Sequence, residues 1–351
     1  LRYKNELTDA LKKELILRKP FLESETIETI YFGGGSPSLL EADEIQQMID
    51  VIHQHYSTNS LKEITIEANP DDLTEKKIND FRKTNINRFS IGVQSFYDED
   101  LVWMNRAHNA QQADRAIKAA QDKGFENITI DLMYGIPTLT DDKWKANLNK
   151  SIALQVPHIS AYSLTIEEKT PLHKLIKLHK KQNVEESKSA FQMQMLMDIL
   201  AKNKFEHYEI SNFAKAGCYA IHNTNYWKGV PYLGIGPSAH SYKENLRSWN
   251  VSNTMKYIAA MDNKKPMIEN ETLTDENIFN EWIMTGLRTQ WGCNLNAVKN
   301  KFETEWIKEL MLEAQPYLEN KKLLLKDNIL TISTDGKLIA DSIMSDLFRS
   351  K

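Results

Sequence analysis

The chain has 351 residues, with 44 Lys or Arg against 48 Asp or Glu, a formal net charge of −4 at pH 7. Hydrophobic residues are 41% and charged residues 26%, the composition of a globular protein rather than a disordered or fibrous one. Cys218 and Cys293 are the two cysteines, which excludes a disulfide scaffold, and the near-neutral charge gives nucleic acid no general basic surface to bind.

At ~150 residues per domain the length predicts about two domains. No apolar run approaches the ~18–20 residues that cross a bilayer, and no signal peptide is visible, so a cytoplasmic location is expected. The chain opens at Leu1 directly on a helical pattern, and residues are expected to precede it.

Leu7, Leu11, Leu15 and Ile16 form a helical stripe that stops at Pro20. Ile27 to Phe32 reads as a strand, Glu41 to His55 as a helix and Leu61 to Ala68 as a strand. Thr74 caps a helix that runs to Arg82. Phe89 to Val93 is a strand, and Ala110 to Lys123 a helix stopped by Gly124. Ile128 to Tyr134 is a strand, Lys143 to Leu154 a helix and Ile159 to Leu164 a strand. Strand–helix alternation at this spacing means an α/β fold with parallel strands and helical crossovers. An open doubly wound sheet and a full or partial barrel both satisfy that pattern.

After Pro171 the style changes. Val184 to Asn203 is a long helix, and residues 205–260 are richer in aromatics and turns. The polar stretch Asp262 to Glu276 reads as a linker. The remainder reads as a small helical module with a β-wing, its hairpin made of Leu323 to Leu325 and Ile329 to Ile332.

Each strand of the first part ends in glycine or polar residues: Gly33-Gly34-Gly35-Ser36-Pro37, Glu67-Ala68-Asn69-Pro70, Gly92-Val93-Gln94-Ser95, Asp131 with Gly135-Ile136-Pro137, and Ser163. Turn chemistry alone explains any one of these. Taken together they point to a ligand site, because C-terminal strand ends of parallel α/β folds converge on one face. Asp131 lies inside an apolar segment, where a carboxylate needs a partner or a ligand. The triple glycine offers bare backbone, but it is neither a P-loop nor GxGxxG. His222-Asn223-Thr224-Asn225-Tyr226-Trp227 puts a histidine among aromatics, suited to a metal or a flat aromatic ligand. Met193, Met195 and Met197 read as helix core and rim, and the lysines between Lys169 and Lys181 as a solvated face.

As an ordered set these segments are recognisable. Tyr31 to Leu39 resembles the glycine motif of the oxygen-independent coproporphyrinogen III oxidase family, within the radical SAM superfamily. Glu67 to Pro70, Ser90 to Ser95, Asn105-Arg106, Ile130 to Pro137, His207 to Ala214, His222 to Trp227 and Gly286 to Thr289 follow in order. The resemblance implies a partial, open (β/α) barrel of radical SAM type with a small, mainly helical C-terminal domain. It divides the chain into a barrel core over residues 1–170, a remainder with a family-specific extension over 171–262, and the C-terminal domain with its β-wing over 275–351. It implies S-adenosylmethionine (SAM) as a cofactor, bound by Gly34, Gly35, Ser36, Glu67, Gln94, Arg106 and Asp131, with Ser163, Ala239 and His240 as weaker carry-overs.

The family also carries a 4Fe–4S cluster on a CxxxCxxC loop, which this sequence lacks. The resemblance places that loop and the first barrel strand upstream of Leu1, so no ligand of the metal cluster is expected in this chain. Without the loop, the chain as given is not expected to perform radical chemistry. The HNxxYW pattern resembles the heme-associated motif of the HemW-like heme chaperone branch, with His222, Asn223, Tyr226 and Trp227 as the heme site. That branch binds heme and delivers it to acceptor proteins. The alternative is the oxidase proper, which decarboxylates propionates of coproporphyrinogen III.

Overall fold

The computed structural model describes residues 3–298 and 301–349. The chain divides into two compact units, one of residues 1–30, 40–64 and 221–351, the other of residues 31–39 and 65–220. Strands β1 (Thr29–Phe32), β2 (Glu63–Ala68), β3 (Arg88–Gln94), β4 (Asn127–Tyr134), β5 (His158–Ser163), β6 (Glu206–Glu209) and β7 (Asn212–Ala214) form one sheet in the order β1-β2-β3-β4-β5-β7-β6. The pairings β2–β3, β3–β4 and β4–β5 are parallel, whereas β7 joins β5 and β6 antiparallel. The sheet curls into an open half-barrel, which settles the choice between doubly wound and barrel architectures.

Helix α1 is Lys4–Leu17. The crossovers are α2 (Ala42–His55), α3 (Glu75–Phe81), α4 (Asp98–Trp103) with α5 (Ala110–Asp122), and α6 (Asp141–Ala153). Short helix α7 (Pro171–Lys177) and α8 (Glu186–Lys202) precede β6. The boundaries follow local chemistry. Thr74 and Thr140 accept from the backbone amides of Lys77 and Lys143, and Asn109 forms a capping box with Gln112. Gly124 ends α5 at φ +80, a conformation that glycine adopts without strain. Ile66, Phe89, Ile91, Val93, Ile128, Ile130, Leu132 and Ile159 are fully buried and alternate along their strands, so the central strands share one apolar face, while the opposite face carries polar or small residues such as Ser90, Gly92 and Asp131. Met193 and Met197 of α8 are buried and Met195 half-buried, which is core and rim.

In the other unit, α9 (Ile221–Trp227) is followed by the antiparallel sheet β8 (His240–Lys243), β9 (Leu246–Asn250) and β10 (Ile268–Thr272) in the order β10-β9-β8, with α10 (Thr254–Asp262) between β9 and β10. Buried Glu14 of α1 ties this unit together. It accepts from Asn250 Nδ2 at 2.7 Å, Gly236 N at 2.8 Å and the Tyr257 hydroxyl at 2.6 Å. Arg18 lies 3.6 Å from it and donates to Ser241 and Ser248.

The helical C-terminal part comprises α11 (Asp275–Leu287), α12 (Leu295–Val298), α13 (Thr304–Glu319) and α14 (Ala340–Asp346). A small sheet of β11 (Cys293–Asn294), β12 (Leu323–Lys326) and β13 (Ile329–Ile332) accompanies them, and β12 and β13 are the expected hairpin. One expectation needs correction. Residues 262–276 are not a plain linker: they carry edge strand β10, paired with β9, and Thr274, which caps α11. The strand is polar because four of its five residues face solvent.

Candidate functional site

The C-terminal strand ends of the half-barrel surround a hollow of about 200 Å³. Gly35, Ser36, Glu67, Gln94, Arg106 and Asp131 all line it, together with Pro37, Ser38, Ala68, Asn69, Ser90 and Gly92. Gly34 is exposed and not part of this lining; it donates its backbone N–H to Glu67 Oε2 at 3.1 Å. The other carboxylate oxygen of Glu67 accepts from the Tyr31 hydroxyl at 2.7 Å. Burial, and next the Glu67 charge, push the Tyr31 phenol far above its usual range, so it stays a donor.

Arg106 donates from Nη2 to Asn69 Oδ1 at 2.8 Å, which fixes its guanidinium over the hollow. Asp131 is pushed up to about 7, first by burial and then by Glu67, against smaller opposing contributions from Ser160, Arg106 and Arg88. The glycines make the room. A Cβ on Gly92 would stand 3.0 Å from Gln94 Nε2 and 3.3 Å from Arg106 Nη2. One on Gly33 would stand 2.5 Å from the Tyr31 ring and 2.9 Å from Glu67 Oε1. Gly34 and Gly35 turn the chain at φ +71 and +66.

Three sequence candidates fall elsewhere. Ser163 ends β5 in register with Tyr134 but does not line the hollow. Ala239 and His240 belong to the other unit, at the start of β8, where His240 faces the Trp249 ring at 5.7 Å. Asn69 and Tyr31 have no role that the sequence pattern assigns, and the structure makes them the partners of Arg106 and Glu67.

The HNxxYW segment forms helix α9, so its spacing gives two i,i+4 pairs, His222 with Tyr226 and Asn223 with Trp227. Glu63 receives the helix start, accepting from the backbone N–H of Ile221 and His222 at 2.9 and 3.0 Å. His222 Nδ1 lies 2.8 Å from Thr29 Oγ1, and the Tyr226 ring meets its imidazole edge-on at 5.2 Å. Burial lowers His222 to about 4, which leaves a neutral imidazole at pH 7, the form that ligates metals. Tyr226 is 42% exposed, and the Arg288 guanidinium lies over the Trp227 ring at 5.1 Å.

The half-barrel and its ring of glycine, carboxylate and arginine groups are those of the radical SAM class, and a family model described as the radical SAM superfamily matches residues 3–150. The chain is 35% identical to the heme chaperone HemW of Lactococcus lactis, over 91% of this chain and 84% of that protein. It is 32% identical to HemW of Bacillus subtilis, over 85% and 79% respectively. The chain belongs to the HemW family of the radical SAM superfamily. Among solved structures it is similar to coproporphyrinogen III oxidase (HemN) from Escherichia coli, with a TM-score of 0.83 at 18% identity over 99% of this chain and 84% of that one. That likeness shows the fold.

The superfamily implies SAM, and the hollow fits it. SAM is a zwitterion with a sulfonium and a ribose diol, and this mouth offers two carboxylates, an arginine and bare glycine backbone. The 4Fe–4S cluster is a different matter. Cys293 is buried with Sγ against the carbonyls of Trp282 and Ile283, and Cys218 lies in a loop of the other unit. Among the described residues no group of three or more His, Cys, Asp or Glu is placed to hold a metal ion. These side chains do not fit a cluster.

Proposed function

We infer that this chain is a heme chaperone of the cytoplasm: it binds heme through His222 and passes it to acceptor proteins, while SAM occupies the hollow between the triple glycine and Asp131. Membership of the HemW family supports the reading, since its curated members carry that name. The observation that carries it is His222 on α9, a neutral imidazole oriented through Nδ1 by Thr29 and flanked by the Tyr226 ring. The likeness to HemN at 18% identity shows fold alone and lends the oxidase alternative no weight.

Each residue of the hollow then has a task. Arg106, steadied by Asn69, pairs with the SAM carboxylate in the charge-assisted geometry arginine favours. Glu67 and Asp131 offset the cationic ammonium and sulfonium and accept from the ribose hydroxyls. Gly34 and Gly35 bring backbone close, and Gln94 supplies a neutral amide. Bound SAM supplies a sulfonium whose substituents are activated for transfer or cleavage. No described helix is long and apolar enough to cross a membrane.

The test is a heme titration followed at the Soret band, with the chain and with His222→Ala. Saturable, stoichiometric binding lost in the variant is the expected result. Binding that survives the substitution removes His222 as ligand, and absence of saturable binding overturns the heme reading.

A further inference from the structure

Gln94 closes β3 at φ +65, a left-handed conformation that costs a residue with a Cβ. The Ser95 N–H donates to Val93 O at 2.8 Å, so three residues close a γ-turn with Gln94 at its centre. The positive-φ form of this turn is rare and strained. The β3–β4 register shifts at the same place, between Ile91 and Gln94. Strain of this kind persists only where the surroundings over-determine it.

Those surroundings are a set of buried polar groups. On the far side of the turn, Ser95 Oγ donates to Asp100 Oδ2 at 2.8 Å and accepts from Asn147 Nδ2 at 3.1 Å. Asn147 Oδ1 accepts from Phe96 N at 3.0 Å, and all three of these polar side chains are fully buried. On the near side the Val93 carbonyl takes a second bond, from His108 Nε2 at 3.1 Å. A carbonyl only accepts, so Nε2 carries the proton. Asp71 Oδ1 stands 3.9 Å from the other ring nitrogen, beyond hydrogen-bond reach. His108 is 3% exposed and two residues from Arg106, so its one bond fastens the Arg106 loop to the Gln94 turn. The two side chains it couples both stand within 3.3 Å of the place a Gly92 Cβ would take.

We propose that His108 is a positioning residue for SAM binding: through the Val93 carbonyl it holds the strained turn that presents Gln94 beside Arg106. The proposal rests on reading the hollow as a SAM site. His108 touches no ligand. It acts through Gln94, and that dependence separates it from a residue that merely supports the fold.

The experiment is a calorimetric SAM titration of the chain, His108→Leu, His108→Gln, Gln94→Gly and the His108→Leu/Gln94→Gly double variant, with thermal melts of each. Removing the donor in His108→Leu weakens SAM about tenfold, the effect of losing one positioned hydrogen bond. His108→Gln, whose amide still donates to Val93, recovers most of that affinity. Gln94→Gly weakens SAM by itself, and in its background His108→Leu changes nothing further, because glycine holds the turn without strain. Should the leucine variant fail to fold, His108→Asn, polar but too short to span to Val93, carries the same expectation. Unchanged affinity in folded His108→Leu overturns the proposal. So does an equal loss in both Gln94 backgrounds, which makes His108 a general structural residue. If the unsubstituted chain binds no SAM, the reading of the hollow itself falls, an outcome distinct from either of these.

Discussion

Asp131 illustrates how one side chain serves ligand and fold in opposite directions. Its carboxyl titrates near 7 rather than near its ordinary 3.8, with burial the main cause and Glu67 the second. The folded chain therefore holds that proton more tightly than the unfolded chain. Between those two values stability falls as pH rises, and above pH 7 the full cost of the buried charge is present, about 2–4 kcal/mol. Asp131→Asn keeps the shape and removes the charge. Thermal melts at pH 8 should show the variant more stable than the parent, with the gap narrowing towards pH 5. SAM titrations should show it binding more weakly, since the cationic ligand loses its partner. A variant that is less stable at pH 8 would contradict this account.

His222 has the reverse sign. Its imidazole is lowered to about 4 by burial, so the unfolded chain binds the proton more readily. Stability that is full above about pH 6.5 is lost as pH falls towards 4, whereas the folded imidazole stays neutral and able to ligate iron until the pH nears 4. For the Nε2 lone pair to meet a metal, Nδ1 must carry the proton and donate to Thr29 Oγ1. Thr29→Val removes that acceptor at nearly constant volume. Heme affinity measured at the Soret band should drop about tenfold, as for other groups that orient a ligating histidine. An unchanged titration would show that Thr29 does not set the tautomer.

At the level of elements, the glycine turn after β1 separates two kinds of glycine. A Cβ on Gly35 would meet nothing within 4 Å, and the cost of Gly35→Ala to the fold is confined to φ +66. It should lower stability by about 1 kcal/mol, and its methyl, set in the hollow where SAM meets bare backbone, should weaken SAM as well, though less than Gly33→Ala does. Gly33→Ala drives a methyl into the Tyr31 ring and Glu67 Oε1, the pair that holds the carboxylate. It should lower SAM affinity more than it lowers the melting temperature. Melts and titrations of both variants check the ranking, which a reversed order would refute.

The strands and crossovers were legible because apolar runs alternate with glycine, proline and capping residues at short range. The pocket was legible for the same reason: the glycine turn, Glu67 and Gln94 lie at strand ends, although Asp131 sits within β4 and Arg106 follows α4. What local pattern could not reveal depends on distant partners. Ile16 fits the apolar stripe of α1 but is 48% exposed, whereas Glu14 is buried because Gly236, Asn250 and Tyr257 come from far along the chain. Strand β10 escaped because Ile268-Glu269-Asn270-Glu271-Thr272 has almost no apolar face, and pairing with β9 alone makes it a strand. The role of His108 and the left-handed backbone at Gln94 carry no sequence signal either, since neither a buried carbonyl partner nor a turn angle shows in composition.

For the molecule as a whole, the two candidate sites share no residue. The lining of the hollow comes entirely from residues 31–39 and 65–220, and α9 with Thr29 and Glu63 from the other unit. Strand β2 illustrates the division within one element: Glu63 at its start holds the amides of α9, and Glu67 near its end holds Tyr31 and Gly34. Substitutions with no shared partners are expected to act additively. Glu67→Gln and Asp131→Asn should therefore weaken SAM and leave the heme titration unchanged. His222→Ala and Thr29→Val should weaken heme and leave SAM affinity unchanged, and a variant from each group combined should lose both by the product of the single effects. Measuring both ligands on one panel of folded variants checks this directly. If a substitution in the hollow shifts the heme titration without lowering the melting temperature, the sites are coupled, and SAM would act as an effector of heme binding with the reciprocal effect that linkage requires.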